Sequence, residues 1–421
     1  MLKPTPPITR QPSAATPGEE PRRQKIVVIG TGYVGLPAAL LLARAGHEVT
    51  GVDINENIVR AINEGVLHIK EEELQAIMDE PAVRANLRAQ SAPCEADVFL
   101  IAVPTPLDQR KKVADLHFVV EAIESLLPHL RPGNLVILES TVPPLTCRDV
   151  LTLLLEKTGL KVGQDLYLAH CPERILPGDV FYEIVHNDRI IGGADPESRR
   201  RARAVYTTFV EGRLYEADDV TAELCKLMEN TYRDVNVALA NELAAVAETL
   251  GIDAGRAIEL ANKHPRVNIL SPGIGVGGHC IPIDPWFIKE VDPANSRLIF
   301  TSRLINDEMP GRVAAKIRKA VRDVPSPKLV AIGAAYKPNS EDTRESPAIE
   351  IVRLLREDGY PVAHYDPMVD DYRYPSLPAV CEGADCLVVL VPHEVVVRDL
   401  ETYRTEIERR LRHPIILQFG G

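Results

Sequence analysis

Short runs of β-branched and other apolar residues alternate with amphipathic stretches over the first half of the chain. The runs typical of strands cover 26–30, 49–53, 98–103, 135–140 and 167–171. Such alternation is typical of a parallel sheet flanked by helices. The pattern therefore predicts a doubly wound α/β domain that begins near Lys25.

A much longer element follows this domain. Residues 219–250 contain neither Gly nor Pro, and Gly251 stands where the C-cap of a helix is expected. At 3.6 residues per turn, this helix would make about nine turns. Because one core cannot cover so long a helix, we expect it to join two domains and to pair with a second copy of the chain in a homodimer.

After Pro-Ser-Pro at 325–327, the strand pattern returns as a degenerate copy of the first half. The matched segments are 25–35 with 328–338, 46–53 with 359–366, and 96–105 with 384–393. The copy lacks the glycine triad of the first half, so we expect it to bind something other than a dinucleotide. The predicted fold is α/β, with two Rossmann-like doubly wound domains joined by a long central helix. The predicted boundaries are 1–23 for a disordered, proline-rich tail, 24–217 for the first α/β domain, 218–322 for the central helical region and 323–421 for the second α/β domain.

Composition and charge exclude several classes of protein. A length of 421 residues fits two or three domains of about 100–200 residues each. The formal net charge of −12 argues against broad binding of nucleic acid or of an anionic membrane surface, which requires a basic face. The uncharged stretch 26–43 is long enough to raise a membrane span. Its glycines separate a strand-like half from a helix-like half, which favours a buried strand–turn–helix over membrane insertion.

The cysteines indicate a reducing compartment. None of the seven belongs to a C-x-x-C pair, and the N-terminus lacks the pattern of a signal peptide. We therefore expect reduced thiols and a cytoplasmic protein. His170–Cys171 and His279–Cys280 are adjacent pairs that do not have the spacing of metal ligands, so no metal is predicted.

The first predicted strand and turn carry the fingerprint of a dinucleotide site. Gly30, Gly32 and Gly35 follow the strand and open a helix, and Asp53 ends the next strand. The glycines permit a tight turn, close approach of the pyrophosphate, and packing of helix on strand, while the helix N-terminus receives negative charge. A carboxylate at Asp53 would accept a hydrogen bond from a ribose 2′-hydroxyl and repel a 2′-phosphate, which predicts NAD rather than NADP.

Two threonines follow the ends of the third and fourth predicted strands. Thr105 lies in V-P-T-P and Thr141 in S-T-V. Ligands bind at the carboxyl ends of strands in such sheets, so either residue could contact the cofactor. Each could equally cap a helix.

Cys280 closes the run G-V-G-G-H-C at 275–280 and is the candidate nucleophile. A thiolate can hold a carbonyl carbon covalently between two hydride transfers. Together with NAD, it predicts an enzyme that oxidises an alcohol to an acid. The glycines of the run let backbone approach a ligand, and Asp284, four residues on, could position water.

Polar residues on the long helix could also face a substrate. Lys226, Asn230 and Arg233 are spaced at i, i+4 and i+7 and therefore share one helix face. A solvated charged stripe would show the same spacing. Two further segments are candidates, 263–268 with three basic side chains and 170–178 with Glu173 and Arg174.

From about Lys25 to nearly the C-terminus, these motifs together resemble the nucleotide-sugar 6-dehydrogenases, which oxidise UDP-glucose or UDP-N-acetylhexosamines. The sequence G-G-H-C resembles the N-acetylhexosamine branch, whereas UDP-glucose enzymes typically have G-G-S-C. The preceding H-P-R-V-N at 264–268 favours UDP-N-acetyl-D-mannosamine as the substrate, with UDP-N-acetylglucosamine or UDP-glucose as the alternatives. The product would be the uronic acid, made for surface polysaccharide synthesis.

The resemblance implies a role for each matched residue. Cys280 would be the nucleophile and Lys226 the acid–base or charge-stabilising group, with Asn230 and Asp284 completing the catalytic set. The implied NAD contacts are Gly30, Gly32, Tyr33, Val34, Gly35, Asp53, Thr105 and Thr141. The implied substrate contacts are Arg174, Ile175, Lys226, Asn230, Arg233, His264, Arg266 and Gly277, with Tyr336, Lys337 and Arg344 reaching the UDP from the second α/β domain; Arg344 is also a candidate cofactor contact.

One position departs from the UDP-glucose enzymes. They carry a second glutamate four residues after the one that matches Glu173, and this chain has Pro177 there. The change fits an acetamido sugar. Two other classes stay open on the sequence, a β-hydroxyacid-type dehydrogenase, which transfers one hydride without a cysteine, and a non-catalytic nucleotide sensor.

Overall fold

The computed structural model describes residues 23–69, 72–175 and 180–419. The predicted disordered tail, up to residue 22, and Pro177 lie outside the described residues. The chain divides into two compact units. The first runs to Asp108 and continues over Ala114–Lys226, and the second comprises Gln109–Val113 and Leu227–Gly421. The predicted domain boundaries themselves stay a prediction.

An eight-stranded sheet forms the centre of the first unit. The strands of this half of the chain are β1 Lys25–Ile29, β2 Glu48–Val52, β3 Leu87–Gln90, β4 Val98–Ile101, β5 Leu107–Asp108, β6 Val113–Ala114, β7 Leu135–Leu138, β8 Tyr167–His170, β9 Arg189–Gly193 and β10 Leu214–Asp218. The short β5 and β6 pair with each other and are not part of the large sheet. The order in the sheet is β10-β9-β8-β7-β4-β1-β2-β3. The pairs from β3 to β8 are parallel, whereas β9 pairs with β8 in the antiparallel sense.

Helices cover both faces of this sheet. They are α1 Gly35–Arg44, α2 Glu56–Glu64, α3 Glu72–Met78, α4 Pro81–Asn86, α5 His117–Leu126, α6 Thr152–Leu155, α7 Val180–His186 and α8 Pro196–Tyr206, and a π-helical turn at Cys147–Leu151 precedes α6. Alternate residues of β1 belong to different cores, Ile26 and Val28 to one, Val27 and Ile29 to the other. This two-sided burial confirms the predicted doubly wound architecture.

All five strands predicted for this half are present, but three further strands of the eight-stranded sheet and the short β5 and β6 were missed. β3 and β10 carry polar or exposed residues, Leu-Arg-Ala-Gln in β3 and Leu-Tyr-Glu-Ala-Asp in β10, and they are the two edge strands of the sheet. Strands of this composition give no continuous apolar run. β9, Arg-Ile-Ile-Gly-Gly, is largely buried, but its apolar run is only two residues long.

The long helix α9 spans Asp219–Leu250, the range predicted from the absence of Gly and Pro. Gly251 has φ +69°, and the N–H of Ile252 donates to the carbonyl of Ala247 at 3.0 Å. This is a Schellman-type C-cap, which a left-handed glycine allows. The helix begins in the first unit and ends in the second.

The second unit contains a smaller sheet of the same design. Its elements are α10 Ala254–Ala261, α11 Asp284–Val291, α12 Arg297–Val321, β11 Leu329–Ile332, α13 Pro347–Glu357, β12 Val362–Tyr365, α14 Leu377–Val380, β13 Cys386–Val389, α15 Glu394–Thr402, α16 Arg404–Arg410 and β14 Ile415–Gln418. The parallel order is β12-β11-β13-β14.

The registers of the two sheets confirm that the second half copies the first. In the first sheet Ile26 pairs with Val49 and with Val98. In the second, Leu329 pairs with Val362 and with Cys386, which are the counterparts in the sequence match. Both Rossmann-like units predicted from the sequence are therefore present.

No helix within residues 23–69, 72–175 and 180–419 is both long and apolar enough to cross a lipid bilayer. The uncharged stretch 26–43 divides between β1 and α1, with the glycine turn between them. Burial of that stretch inside the first unit accounts for its apolar composition.

Candidate active site

The turn between β1 and α1 can form only with glycine at two of its positions. Gly30 has φ +85°, and a Cβ there would lie 2.5 Å from the carbonyl oxygen of Ala102. A Cβ on Gly35 would lie 1.9 Å from the carbonyl oxygen of Gly30. The helix therefore starts directly against the strand, which points its N-terminal N–H groups at the mouth of the turn.

The same turn leaves room for a ligand. No atom lies within 4 Å of the place where a Cβ of Gly32 would be, and Tyr33 beside it is 47% exposed. Val34 takes the N-cap position of α1. An open, side-chain-free surface at a helix N-terminus fits a pyrophosphate.

Asp53 is held at the end of β2 by this turn. Its Oδ2 accepts hydrogen bonds from the N–H and the hydroxyl of Thr31, at 3.1 and 2.9 Å, and its Oδ1 accepts from the N–H of Asn55 at 3.0 Å. These bonds fix a carboxylate where the ribose of a dinucleotide lies in this fold.

The two candidate threonines follow neighbouring strands of the sheet, Thr105 after β4 and Thr141 after β7, and the strand order reverses between β4 and β1. The Thr105 Oγ1 is buried and has no hydrogen-bond partner in the described chain, so it can accept one from a ligand. Neither Thr105 nor Thr141 caps a described helix, because α5 begins at His117 and the π-helical turn at Cys147. That removes the alternative left open by the sequence. Together with Gly32 and Asp53, they form a set that fits a dinucleotide.

The second unit also has a carboxylate at a strand end, but hydrogen bonds within the unit occupy it. Asp366 is the counterpart of Asp53, and its Oδ2 accepts from the N–H groups of Ala334 and Ala335 at 2.6 and 3.1 Å. His393, the counterpart of Thr105, also bonds to that oxygen, Nε2 to Oδ2 at 3.0 Å. Burial alone would raise the pKa of the Asp366 carboxyl, but these hydrogen bonds outweigh it and hold that pKa at about 2. Because this carboxylate oxygen already takes part in three hydrogen bonds within the protein, it is not available to a dinucleotide ribose.

The glycine loop 275–280 lies against the segment that follows β11. A Cβ on Gly277 would lie 2.7 Å from both the carbonyl oxygen of Glu345 and the Cβ of Tyr336. Gly278 has φ +86°, and its N–H donates to the carbonyl of Arg344 at 3.0 Å. Backbone thus packs directly on backbone, and Cys280 follows two residues later.

Cys280 and Asp284 belong to the turn that opens α11. The N–H of Asp284 donates to the carbonyl of Cys280 at 2.9 Å. The side chain of Asn230 on α9 donates from Nδ2 to the Asp284 Oδ2 at 2.5 Å, and both residues are almost fully buried. Arg233 donates in turn to the Asn230 Oδ1. Three of the predicted site residues are therefore joined in one hydrogen-bonded chain.

Tyr336, Lys337 and Arg344 lie on the segment that contacts the glycine loop. Arg344 forms a two-pronged pair with Asp342, Nε to Oδ1 at 2.9 Å and Nη2 to Oδ2 at 2.6 Å. The Lys337 ammonium lies 5.9 Å from the centre of the Tyr336 ring. Asp342 was not predicted as a site residue, although it stands two residues before Arg344 in a charged, turn-rich segment.

His264 and Arg266 are exposed on the loop that precedes the glycine run, and their side chains face each other. The loop is held by asparagines that the sequence analysis did not single out. Asn236 donates to the carbonyl of Asn268 at 2.7 Å and accepts from the N–H of Leu270 at 3.0 Å. Asn241 accepts from the N–H of Gly273 at 2.8 Å. A lone asparagine on a helix carries no spacing signal by which it could have been found.

In the first unit, Lys226 is 92% buried, with 8% of its surface exposed. Burial raises the pKa of Glu173 to about 7, although the charges of Lys226 and Arg189 lower it. Arg174 donates from Nη1 to the carbonyl of Asp188 at 2.8 Å, and Ile175 packs on the core beside it. Glu173 is thus the candidate of this unit whose protonation changes near neutral pH.

Two Rossmann-like units, a fitted dinucleotide turn and a buried polar cluster around a cysteine define an NAD-dependent dehydrogenase. Three domain models of one family match in order, the NAD binding domain of the UDP-glucose/GDP-mannose dehydrogenase family over 24–210, its central domain over 220–308 and its UDP binding domain over 330–419. The chain belongs to the UDP-glucose/GDP-mannose dehydrogenase family. It is an oxidoreductase that uses NAD and acts on UDP-sugars.

Relatives agree with this assignment over most of the chain. A UDP-N-acetyl-D-mannosamine dehydrogenase of Methanocaldococcus jannaschii is 50% identical, covering 88% of this chain and 86% of the relative. An NDP-N-acetyl-D-galactosaminuronic acid dehydrogenase of Ralstonia solanacearum is 42% identical, covering 90% and 93%. The structure of the UDP-N-acetyl-D-mannosamine dehydrogenase of Pyrococcus horikoshii superposes with a TM-score of 0.89 at 41% identity, covering 94% and 95%.

Replacing Asp53 tests the cofactor site. We expect Asp53→Asn to raise the KM for NAD about 10–100-fold, because a hydrogen bond to a charged group is worth about 1.5–3 kcal/mol. The preference for NAD over NADP should fall with it. Steady-state kinetics with both cofactors measure this, with the exposed Asp149→Asn as the control. An unchanged preference would remove Asp53 from the cofactor site.

Replacing Gly277 tests the contact that positions the loop. Gly277→Ala places a methyl 2.7 Å from backbone and should lower kcat/KM at least about 10-fold, since overpacking of this kind costs about 1–3 kcal/mol. Gly273→Ala is the matched control in the same loop, because its nearest atom would be 4.0 Å away. Equal activity of the two variants would contradict the proposed packing.

Proposed function

We propose that the chain oxidises C6 of UDP-N-acetyl-D-mannosamine to a carboxylate, removing four electrons in two steps and holding the intermediate on Cys280. The observation that carries this proposal is the turn that joins Cys280 to Asp284, whose buried carboxylate accepts a hydrogen bond from the Asn230 Nδ2 at 2.5 Å. A cysteine and a carboxylate in one turn, with the carboxylate held by an amide of α9, can form and then hydrolyse a thioester. Relatives of this name, at 41–50% identity, support the choice of sugar.

NAD, when bound, supplies the hydride acceptor for each two-electron step. Residues of this chain carry out the covalent steps. As a thiolate, Cys280 attacks the C6 aldehyde that the first oxidation leaves, and the C=O electron pair moves onto oxygen to give a thiohemiacetal. The second oxidation converts this to a thioester, so no free aldehyde needs to leave the enzyme.

Asp284 and Asn230 serve the hydrolytic step. The hydrogen bond from Asn230 fixes the orientation of the Asp284 carboxylate, which lies within one turn of Cys280. From there the carboxylate can take a proton from the water that attacks the thioester. The Cys280 sulfur then leaves with its electron pair, and the uronic acid is released.

Lys226 is assigned the stabilisation of negative charge on the substrate oxygen. It lies one helical turn before Asn230 on the same face of α9 and is largely buried. A buried ammonium interacts with developing charge far more strongly than an exposed one. This burial favours a functional role over the solvated charged stripe that the sequence also allowed.

A second sugar deserves a direct comparison. The Ralstonia relative, at 42% identity, is named for an N-acetylgalactosamine-derived acid, which is also an acetamido sugar. We expect both enzymes to recognise the acetamido group. We expect this chain to prefer UDP-N-acetylmannosamine over UDP-N-acetylgalactosamine, UDP-N-acetylglucosamine and UDP-glucose. The activated uronic acid would then enter surface polysaccharide synthesis in the cytoplasm, where the seven unbridged cysteines stay reduced.

We also propose that α9 pairs with its copy in a homodimer. One face of the helix exposes seven large apolar side chains, Leu224, Met228, Tyr232, Leu239, Leu243, Val246 and Leu250. At about 100° per residue they lie within about a third of the helix circumference. Lys226, Asn230 and Arg233 lie on the opposite side. A continuous apolar stripe of seven residues on one helix is typical of a protein–protein interface, and a second copy presents an identical stripe.

Two variants test the covalent chemistry. We expect Cys280→Ala to lose at least about 1,000-fold in kcat while binding the UDP-sugar normally, because only the nucleophile is gone. Asp284→Asn should slow hydrolysis, so that mass spectrometry after substrate and NAD detects the sugar bound to the Cys280 peptide. The half-buried Cys94→Ala is the control. Full activity of Cys280→Ala would disprove the thioester route.

Charge placed on the apolar stripe tests the dimer. We expect the double variant Leu239→Glu and Val246→Glu to sediment as a monomer, because burying two carboxylates at an interface is strongly unfavourable. Leu153→Glu, at a 65% exposed site outside the stripe, should leave the sedimentation unchanged. A wild-type protein that sediments as a monomer at micromolar concentration would contradict the proposal.

A further inference from the structure

We propose that His279 is a catalytic residue that takes the proton of the Cys280 thiol when the sulfur attacks the substrate carbonyl. The inference rests on the cysteine chemistry of the proposed function. It concerns a neighbour of the sulfur that can act as a base at neutral pH, the imidazole of the adjacent residue.

The contact between the two side chains carries the inference. The Cys280 Sγ lies 3.6 Å from the His279 Nδ1, a distance suited to a hydrogen bond that involves sulfur. Consecutive side chains point to opposite sides in an extended chain. Here residues 278–283 bend and turn, after the left-handed backbone of Gly278, and the two side chains meet.

The charges around this pair favour an imidazolium beside a thiolate. Burial raises the pKa of the Asp342 carboxyl, but the Arg344 hydrogen bonds and the charges of Arg344 and His279 lower it overall. An ionised Asp342 would attract the protonated imidazole in return. The charge of the Asp342 carboxylate therefore favours the protonated form of His279.

Two further groups whose charges interact with Cys280 are not bases near neutral pH. Arg344 stays cationic, since the hydrogen bond to Asp342 raises its pKa, and its charge interacts favourably with a Cys280 thiolate. Burial first, then the Asp342 and Cys280 charges, raise the pKa of the Tyr336 phenol, so it stays neutral; the charges of Arg344 and Arg233 have the opposite, smaller effect. The Asp284 carboxylate is hydrogen bonded to Asn230 and is assigned to the later hydrolytic step.

The proposed step balances without any further reagent. The S–H bond breaks, its electron pair stays on sulfur, and the proton passes to the His279 Nδ1. The sulfur pair forms the bond to C6 of the aldehyde, and the C=O π pair moves to the oxygen. That oxygen then takes the proton from the imidazolium, which leaves a neutral thiohemiacetal and a neutral His279.

A serine at this position, as in the G-G-S-C form of the motif, offers no basic nitrogen near neutral pH. In a chain with G-G-H-C, thiol ionisation is therefore expected to depend on the residue that precedes the nucleophile. This dependence can be measured without turnover.

The test is the alkylation rate of Cys280 by iodoacetamide against pH, followed by mass spectrometry of the Cys280 peptide in the full-length protein. A free thiol with a pKa of about 8.5 is only about 1% ionised at pH 6.5, so loss of the base should slow alkylation about 10-fold there. We expect this for His279→Gln, with a rate within about 2-fold of wild type at pH 9.5, where the thiol ionises unaided. His129→Gln, outside the loop, is the control and should match wild type.

The two limbs of the profile separate catalysis from a structural effect. A His279→Gln rate equal to wild type at pH 6.5, or lowered equally at both pH values, would overturn the assignment, because a disturbed loop slows both limbs. Failure of the proposed function is a separate result. Cys280→Ala that still makes the acid would disprove the thioester, whatever the alkylation profile shows.

Discussion

The close approach of two backbone segments in the second unit is the constraint on which the candidate site depends. At Gly277 the glycine loop lies so near Tyr336 and Glu345 that any Cβ would overlap them. The approach sets Cys280 at the start of α11, where the carbonyl of Cys280 accepts from the N–H of Asp284. Cys280, Asp284 and Arg344 thus belong to one packed unit.

Besides the glycine triad, the two copies of the sheet differ at the residue beside the strand-end carboxylate. In the first unit Asp53 bonds to its own turn and to Asn55, and the Thr105 hydroxyl has no partner in the described chain. In the second, His393 replaces that threonine and bonds to Asp366, which fills the equivalent position. The carboxylate that we propose to bind a ribose in one copy is a structural anchor in the other.

Much of the fold could be predicted from the sequence, because its signals are local. Buried parallel strands give continuous apolar runs, and α9 gives an uninterrupted helical stretch that ends at Gly251. The polar edge strands β3 and β10 and the short run of β9 give no such signal and were missed. In the site, the glycine loop and the spacing along α9 pointed to Cys280, Asp284 and Asn230. Asn236 and Asn241 act through contacts between segments distant in sequence, for which a single chain carries no spacing signal.

The central claim is that this chain removes four electrons from one sugar carbon with a covalent cysteine intermediate. The most direct measurement is the number of NADH molecules released per molecule of UDP-N-acetylmannosamine consumed, with the product identified by mass spectrometry. The account predicts two NADH and the uronic acid, with no free aldehyde. One NADH per sugar, or an aldehyde as the end product, would contradict it.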